Sequence, residues 1–108
     1  MVLLFKPYHV PLILADPPKK TQTRRKWARP RVKVGNVYQA RTKLFGPPFA
    51  RLRVLRLWQE HIKDISEADS QAEGYKSRRE FLAKWQESFW TYDDIPWAVE
   101  FELAKEEP

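Results

Sequence analysis

Hydrophobic and polar positions divide the chain into a strand-rich first part and a second part that also carries helices. In the first part, apolar runs of strand length are separated by turns that contain proline or glycine. They predict a short buried strand, a brief helix that Pro17-Pro18 ends, and three further extended segments. The predicted bounds are Val2–Phe5 for the strand and Val10–Ala15 for the helix. The first extended segment begins near Thr21, and the other two cover Val37–Leu44 and Arg51–His61.

The longest of these segments has a break in its alternation. Leu52 and Val54 fall on one face of a strand, whereas Leu55 and Leu57 fall on the other. One extra residue in the strand would restore a single apolar face, so the pattern predicts a β-bulge near Val54–Leu55.

Two segments with capping-box spacing predict helices in the second part. Ser66 stands three residues before Asp69, and Gly74 ends the short helix that Ser66 opens. Ser77 stands three residues before Glu80 and opens the next helix. The apolar positions behind it follow helical spacing and form one stripe: Phe81, Leu82, Trp85 and Phe89.

The chain closes with a half-buried strand, because apolar and less apolar residues alternate over 97–103. Several strands with two to three short helices, and no regular alternation of strand and helix, indicate an α+β fold. A small, mainly antiparallel β-barrel is the natural way to close these strands. We expect residues 1–108 to form a single domain.

The residue types that are present exclude several kinds of site. The chain has no cysteine, so it has no disulfide, thiolate zinc site or cysteine nucleophile. Its two histidines, His9 and His61, lie far apart in the sequence, and its three glycines form no glycine-rich phosphate loop. We therefore expect neither a metal nor a cofactor. No apolar run resembles a signal peptide or a membrane span, so we expect a soluble, cytoplasmic protein.

Charge is divided sharply along the chain. Residues 1–59 contain fourteen Lys or Arg and one acidic residue, whereas residues 60–108 contain six Lys or Arg and thirteen Asp or Glu. A basic region of this kind attracts polyanions, and nucleic acid is the most abundant polyanion in a cell. Trp27, Tyr38 and Phe45 lie among the cations, and aromatic faces beside cations suit stacked bases. The simpler alternative is a solvated basic surface without a partner.

Lys20 is the first residue of the basic region with a candidate chemical role. Cationic neighbours on both sides disfavour its ammonium form and so lower its pKa. A neutral lysine amine can act as a base toward a hydroxyl, which Thr21 or Thr23 would offer. In a regular strand Lys20 and Thr23 point to opposite faces, so they converge only if the strand begins after Lys20 or bends there. The alternative is an ordinary surface lysine.

Glu73 is the second candidate. It stands immediately before Gly74, at the C-terminal end of its predicted helix, where the helix macrodipole disfavours a negative charge. A residue that breaks a local rule without an evident gain is often functional, and a carboxylate in a cleft can transfer protons. The alternative is an exposed glutamate in an unfavourable place.

A series of short motifs runs along the chain: Phe5-Lys6-Pro7, then Lys20-Thr21-Gln22-Thr23-Arg24-Arg25, then Val34–Tyr38, Ile65–Asp69, Ala72–Tyr75, Glu80–Leu82 and Val99–Phe101. In content and order this series resembles the ASCH domain, a PUA-like β-barrel family associated with RNA. The resemblance spans nearly the whole chain. It implies a small PUA-like barrel with RNA or a modified nucleoside as its partner.

The resemblance also implies a nucleic-acid cleft lined by the family's Gly-x-Lys-x-x-x-x-Arg segment. Lys20 matches the lysine of that segment and Arg25 its arginine, whereas Pro18 stands in place of the glycine. The residues expected to contact RNA or a nucleoside are Lys6, Lys20, Thr21, Arg24, Arg25, Trp27 and Arg41, with Arg29, Arg31 and Lys33 on neighbouring phosphates.

One small branch of the family is an acetylcytidine amidohydrolase, whose catalytic lysine, threonine and glutamate match Lys20, Thr23 and Glu73. The sequence therefore leads to two hypotheses. The first is an RNA- or nucleoside-binding domain with a basic cleft. The second is a small amidohydrolase of N-acylated cytidine, with Lys20 as the base, Thr23 as the nucleophile and Glu73 as the proton shuttle. A ribonuclease has less support, because neither histidine lies beside the basic motif.

Overall fold

The computed structural model describes residues 1–88 and 91–104. Within them, strands predominate in the first part of the chain and α-helices follow in the second. The strands are β1 (Val2–Leu4), β2 (Gln22–Arg25), β3 (Val37–Arg41), β4 (Ala50–Gln59) and β5 (Trp97–Leu103). The α-helices are α1 (Val10–Leu14), α2 (Glu67–Ala72) and α3 (Arg78–Glu87), and short 3₁₀ helices cover Pro7–His9 and Ile62–Asp64.

The five strands form one curled sheet, a half-barrel, in the order β1-β3-β4-β5-β2. β1 runs parallel to β3, with Leu3 opposite Ala40, and the three other neighbouring pairs are antiparallel. The predicted α+β class with a mainly antiparallel sheet is confirmed. The long β4 carries the predicted bulge, since its register to β5 shifts between Val54 and Arg56.

Both predicted serine caps start their helices. Ser66 Oγ accepts a hydrogen bond from the backbone N–H of Asp69 at 3.0 Å, and Ser77 Oγ accepts one from Glu80 at 3.1 Å. The chain leaves α2 through Gly74 at a φ of +103°, a conformation that glycine adopts without a steric penalty. Of the predicted apolar stripe of α3, Phe81, Leu82 and Trp85 are buried, whereas Phe89 lies outside the described residues.

Two apolar clusters fill the interior. The sheet cluster packs Leu3, Phe5 and Phe101 with other buried sheet residues, and the helical cluster packs residues of α3 against Ile62 and Ile65. None of the helices in the described part of the chain has the length and apolar content needed to cross a membrane.

The two edge strands of the sheet, β1 and β2, meet through a side chain. Arg25 on β2 donates a hydrogen bond from Nη2 to the Leu4 carbonyl on β1 at 2.7 Å. The guanidinium carbon of Arg25 also lies 5.0 Å from the centre of the Phe5 ring. We call this contact the edge seam. It is the place in the fold where the candidate site lies.

Candidate functional site

A cavity of about 520 Å³ borders the edge seam and reaches from the sheet cluster to the helical cluster. Two groups of its lining residues differ in chemistry. We call Lys20, Thr23, Arg25 and Glu73 the polar floor. We call Tyr8, His9, Tyr75, Phe81 and Trp85 the aromatic wall. Most small-molecule sites combine an apolar lining with a few placed polar groups in a cavity of this size.

Lys20 reaches the cavity because β2 begins after it. Its backbone N–H bonds to the Leu12 carbonyl at 3.1 Å, and the regular strand starts only at Gln22. The Lys20 residue is 1% exposed. Its ammonium donates to the backbone carbonyl of Glu73 at 2.6 Å and to Glu73 Oε1 at 3.3 Å. The condition under which Lys20 and Thr23 converge on one cavity is therefore met.

Burial lowers the pKa of Lys20, and the charges of Arg25 and Arg24 lower it further. The carboxylate of Glu73 opposes this shift. The direction of this pKa shift agrees with the expectation from the sequence, but the main cause of the shift differs from the expected one. Neighbouring cations were expected to dominate, whereas removal of the ammonium from water contributes more.

Gly74 lets the chain turn closely over Lys20. A Cβ at Gly74 would lie 3.1 Å from Leu12 Cδ1 and 3.6 Å from Lys20 Cβ. This close approach brings the carbonyl of Glu73, at the C-terminal end of α2, onto the Lys20 ammonium. A cation at this end of a helix is favourable, and it offsets the unfavourable position of the Glu73 carboxylate.

Arg24 holds Glu73 from the other side. Its side chain is fully buried, and Nη1 donates to Glu73 Oε2 at 2.9 Å. Nη2 donates to Glu60 Oε1 at 2.7 Å and lies 3.8 Å from Asp69 Oδ2. Gln22 also joins this network, accepting from Arg24 at 3.0 Å and donating to Asp69 at 3.0 Å. Arg24 was expected to contact a nucleic acid, but its guanidinium is occupied by carboxylates of the protein itself.

Thr23 and Arg25 form the rest of the polar floor. Thr23 Oγ1 accepts a hydrogen bond from Arg25 Nε at 3.1 Å. No hydrogen bond among the described residues joins Thr23 to the Lys20 ammonium. Arg25 has no ion pair with a carboxylate in the described part of the chain, and its hydrogen-bond partners there are the neutral oxygens of Thr23 and Leu4. Its positive charge is thus available to a ligand in the cavity.

The aromatic wall is a continuous series of ring contacts. The centres of Tyr8 and His9 lie 4.4 Å apart, those of His9 and Tyr75 5.9 Å, and those of Tyr75 and Phe81 5.5 Å. Phe81 and Trp85 follow at 6.0 Å. Burial and the nearby cations, of which Lys20 acts most strongly, lower the pKa of His9 to about 3. His9 is therefore neutral near pH 7.

The structure brings together only part of the set that the sequence predicted. Lys6 lines the cavity with Lys20, Thr23, Arg24, Arg25 and Glu73. Trp27, expected to stack on a base, is half-buried and packs against the sheet cluster. Thr21 and Arg41 do not line the cavity either. The exposed residues Arg29, Arg31 and Lys33 lie on the loop before β3.

Sequence reasoning missed most of the aromatic wall and two of the three acidic partners of Arg24, Glu60 and Asp69. Trp85 was assigned to the core, but its ring also lines the cavity. Tyr75 directly follows the Glu73-Gly74 pair, and this adjacency is the one sequence signal that could have pointed to it. Glu60 and Asp69 reach Arg24 only through the packing of distant segments. Among residues 1–88 and 91–104, no cluster of histidine and acidic side chains could hold a metal ion.

Two solved structures share this architecture. The ASCH domain from Lactobacillus crispatus JV V101 matches with a TM-score of 0.71 and 18% sequence identity, over 94% of this chain and 77% of that one. A protein of Enterococcus faecalis V583 from the family DUF984 matches with a TM-score of 0.72 and 16% identity, over 95% of this chain and 75% of that one. The chain has the ASCH fold. Neither a protein-family model nor a curated protein matches the sequence.

The ASCH fold was predicted from the order of the motifs, and the structural matches confirm it. At identities of 18% and 16% they concern the fold alone. The ligand of this ASCH-fold chain must therefore be argued from its own cavity.

Proposed function

We propose that the cavity binds a nucleoside, either free or as one residue of an RNA chain. The combination of an aromatic wall with a cationic polar floor in one cavity carries this proposal. The wall offers ring faces on which a base can stack, and stacking on protein aromatics tolerates any base. Arg25 and Lys6 offer positive charge to ribose oxygens or to a phosphate. A volume of about 520 Å³ suits one nucleoside rather than a folded RNA.

Binding of cytidine and of acetylcytidine, measured by titration calorimetry, tests this proposal. Tyr75→Leu removes a ring from the wall and should weaken binding about five- to fifty-fold, a loss within the range for one lost base–aromatic stack. Tyr92→Leu is the matched control, since Tyr92 is a partly exposed tyrosine outside the cavity. Absence of saturable binding of any nucleoside would remove the proposal.

A second candidate function is hydrolysis of an N-acyl group on cytidine. Lys20 favours it, because a lysine with a lowered pKa in the same cavity as a hydroxyl and a carboxylate is suited to base catalysis. In this reaction Lys20 Nζ takes the proton of Thr23 Oγ1, and Oγ1 attacks the acyl carbon. The C–N bond then breaks as the base nitrogen receives that proton through Glu73. Water finally cleaves the Thr23 ester, so that one amide and one water give one carboxylic acid and one amine.

Arg25 already bonds to the Thr23 hydroxyl and would stabilise the negative oxygen that forms on the acyl carbon. Because the reaction needs the neutral amine of Lys20, its rate should rise with pH through the lowered pKa of that residue. The pH at which the rate levels off would then lie below the pKa of an ordinary lysine.

Release of cytidine from acetylcytidine, followed by chromatography, tests hydrolysis. Thr23→Val removes the hydroxyl with little change of shape and should abolish turnover, whereas Thr23→Ser keeps the hydroxyl and should retain measurable turnover. Thr21→Val tests the other threonine that the sequence offered as nucleophile. If wild-type protein binds acetylcytidine but releases no cytidine, hydrolysis of this compound is excluded and binding stands.

A further inference from the structure

The loop between β3 and β4 carries an aromatic side chain that neither apolar cluster uses. Phe45 is 94% exposed, and Leu44 beside it is 55% exposed. A phenylalanine in this state contributes almost nothing to the stability of the core, and it is available to an external partner.

The loop is held in a defined shape. Gly46 N–H bonds to the Lys43 carbonyl at 3.1 Å, and Arg41 Nη1 bonds to the Leu44 carbonyl at 2.9 Å. Pro47 and Pro48 follow and fix the backbone of the return to β4. A partner that binds Phe45 therefore meets a preorganised loop and loses little binding energy to ordering it.

The charge around Phe45 is not compensated by the protein. Arg41 and Lys43 form no ion pair in the described part of the chain, and Arg41 bonds only to neutral oxygens there, those of Gln39 and Leu44. Two of the three cations of β4 differ, since Arg53 and Arg56 pair with Glu102 and Glu100 on β5. The fold thus neutralises part of the basic first half of the chain, but it leaves this loop positive. Uncompensated cations beside an exposed ring are complementary to a single-stranded nucleic acid.

The loop is also connected to the cavity. Arg41 lies opposite Leu4 in the β1–β3 register, and its carbonyl accepts the Phe5 N–H at 2.9 Å. Leu4, Phe5 and Lys6 line the cavity. The backbone of β3 that leads into the loop therefore adjoins the cavity-lining residues at the end of β1.

We infer that residues 41–45 form a second nucleic-acid contact, in which Phe45 stacks on a base of single-stranded RNA while another nucleotide occupies the cavity. Arg41 and Lys43 neutralise the phosphates between them. This inference rests on the proposed nucleoside-binding function, and it names single-stranded RNA rather than a free nucleoside as the ligand.

Fluorescence anisotropy with a labelled single-stranded RNA of about ten nucleotides, beside calorimetry with cytidine, tests the inference. Phe45→Ala should weaken RNA binding about five- to fifty-fold and leave cytidine binding unchanged, whereas Phe45→Trp should retain RNA binding. Arg41→Ala should reduce the slope of log affinity against log salt by about 0.7. Arg53→Ala, which changes the net charge equally, should leave that slope unchanged.

Each result decides a different claim. If RNA binds and Phe45→Ala has no effect, the second contact does not exist, whatever cytidine does. If cytidine binds but RNA binds no more tightly than cytidine, the inference fails and the proposed function stands. If RNA binds through Phe45 but no nucleoside binds, the loop contact stands and the cavity proposal fails. Self-association of the protein that Phe45→Ala abolishes, without an effect on RNA, would identify the loop as a protein contact and overturn the inference.

Discussion

At the position of Glu73, two electrostatic effects oppose each other. The end of α2 disfavours a carboxylate, whereas Lys20 and Arg24 each bond to one of its oxygens. The two cations belong to the basic motif of the sequence, and the carboxylate neutralises them inside the protein. Two of the three cations of that motif are therefore neutralised by Glu73 inside the protein. Among the described residues, Arg25 is the cation of the motif that lines the cavity without an ion pair.

Replacing Arg24 should cost the protein much of its stability. Arg24→Met removes the buried cation that pairs with three carboxylates, those of Glu60, Asp69 and Glu73, and should lower the free energy of unfolding by about 3–5 kcal/mol. Arg56→Met is the matched control, because Arg56 also pairs with a glutamate and packs on the Trp58 ring, but it is exposed. Because solvent screens this exposed pair, Arg56→Met should cost much less stability than Arg24→Met. Urea unfolding measures both, and equal losses would contradict a structural role of the Arg24 network.

His9 should make the stability of the protein depend on pH in the acid range. The pKa of His9 is about 3 in the folded protein, whereas the ordinary value for a histidine is 6.5. Between these values the unfolded chain binds more protons, so the free energy of unfolding falls as the pH drops below about 6.5. His9→Gln removes this contribution. Between about pH 6.5 and pH 4.5, the wild type should lose about 1–2 kcal/mol more than the variant in urea unfolding. Identical losses would show that His9 protonates freely in the fold.

At the scale of elements, the site depends on where α2 ends and where β2 begins. The β2 strand starts one residue after Thr21, whose N–H bonds to Ala72 on α2 at 2.7 Å and whose carbonyl bonds to Phe101 on β5 at 2.9 Å. This residue ties the helix to the sheet. The side chains of Lys20 and Glu73 meet because their backbones are joined at this point.

Gly74 allows this junction, so a side chain there should be costly. Gly74→Ala and Gly35→Ala both place a Cβ at a positive φ, of +103° and +90°, and this strain alone costs about 1–2 kcal/mol. The Cβ at Gly35 meets no atom within 4 Å, whereas the Cβ at Gly74 lies 3.1 Å from Leu12. Gly74→Ala should therefore lose more stability in urea unfolding, and it should also weaken nucleoside binding. If the two variants lose the same stability, the close approach to Leu12 and Lys20 carries no constraint.

Local signals were sufficient to predict most elements, because the capping serines, Gly74 and the alternation over 97–103 act within a few residues. β3 ends at Arg41 rather than at the predicted Leu44, since residues 42–48 form the turn of the loop. The contacts of Arg24 could not be predicted in this way. Glu60 follows β4 and Asp69 lies on α2, 36 and 45 residues away in the sequence, so they reach Arg24 only in the folded protein. The same holds for Trp27, whose basic neighbours suggested exposure although its ring packs on the sheet cluster.

On the scale of the whole molecule, the sheet curls into a half-barrel whose two edge strands do not pair through their backbones. β1 and β2 are three and four residues long, and Arg25 crosses from one to the other. A cavity can exist there because the seam leaves space that a backbone ladder would fill. The residue that joins the edges also lines the cavity, and it has no ion pair in the described part of the chain. If the cavity binds a nucleoside as proposed, binding and closure of the half-barrel should be coupled through Arg25.

Loss of this contact should loosen the edge of the sheet before its centre. Arg25→Met removes a charge-assisted hydrogen bond to Leu4, so the backbone amides of β1 should exchange with solvent about ten- to a hundred-fold faster, as measured by hydrogen exchange. The amides of β4 and β5 should keep their rates, because each strand is paired on both sides. Arg53→Met, which removes a contact inside the β4–β5 ladder, should leave β1 unchanged. Uniform acceleration across all strands would mean that Arg25 supports the fold as a whole. A saturating nucleoside should slow exchange in β1 of the wild type but not of Arg25→Met, since only the wild type links the ligand to both edges.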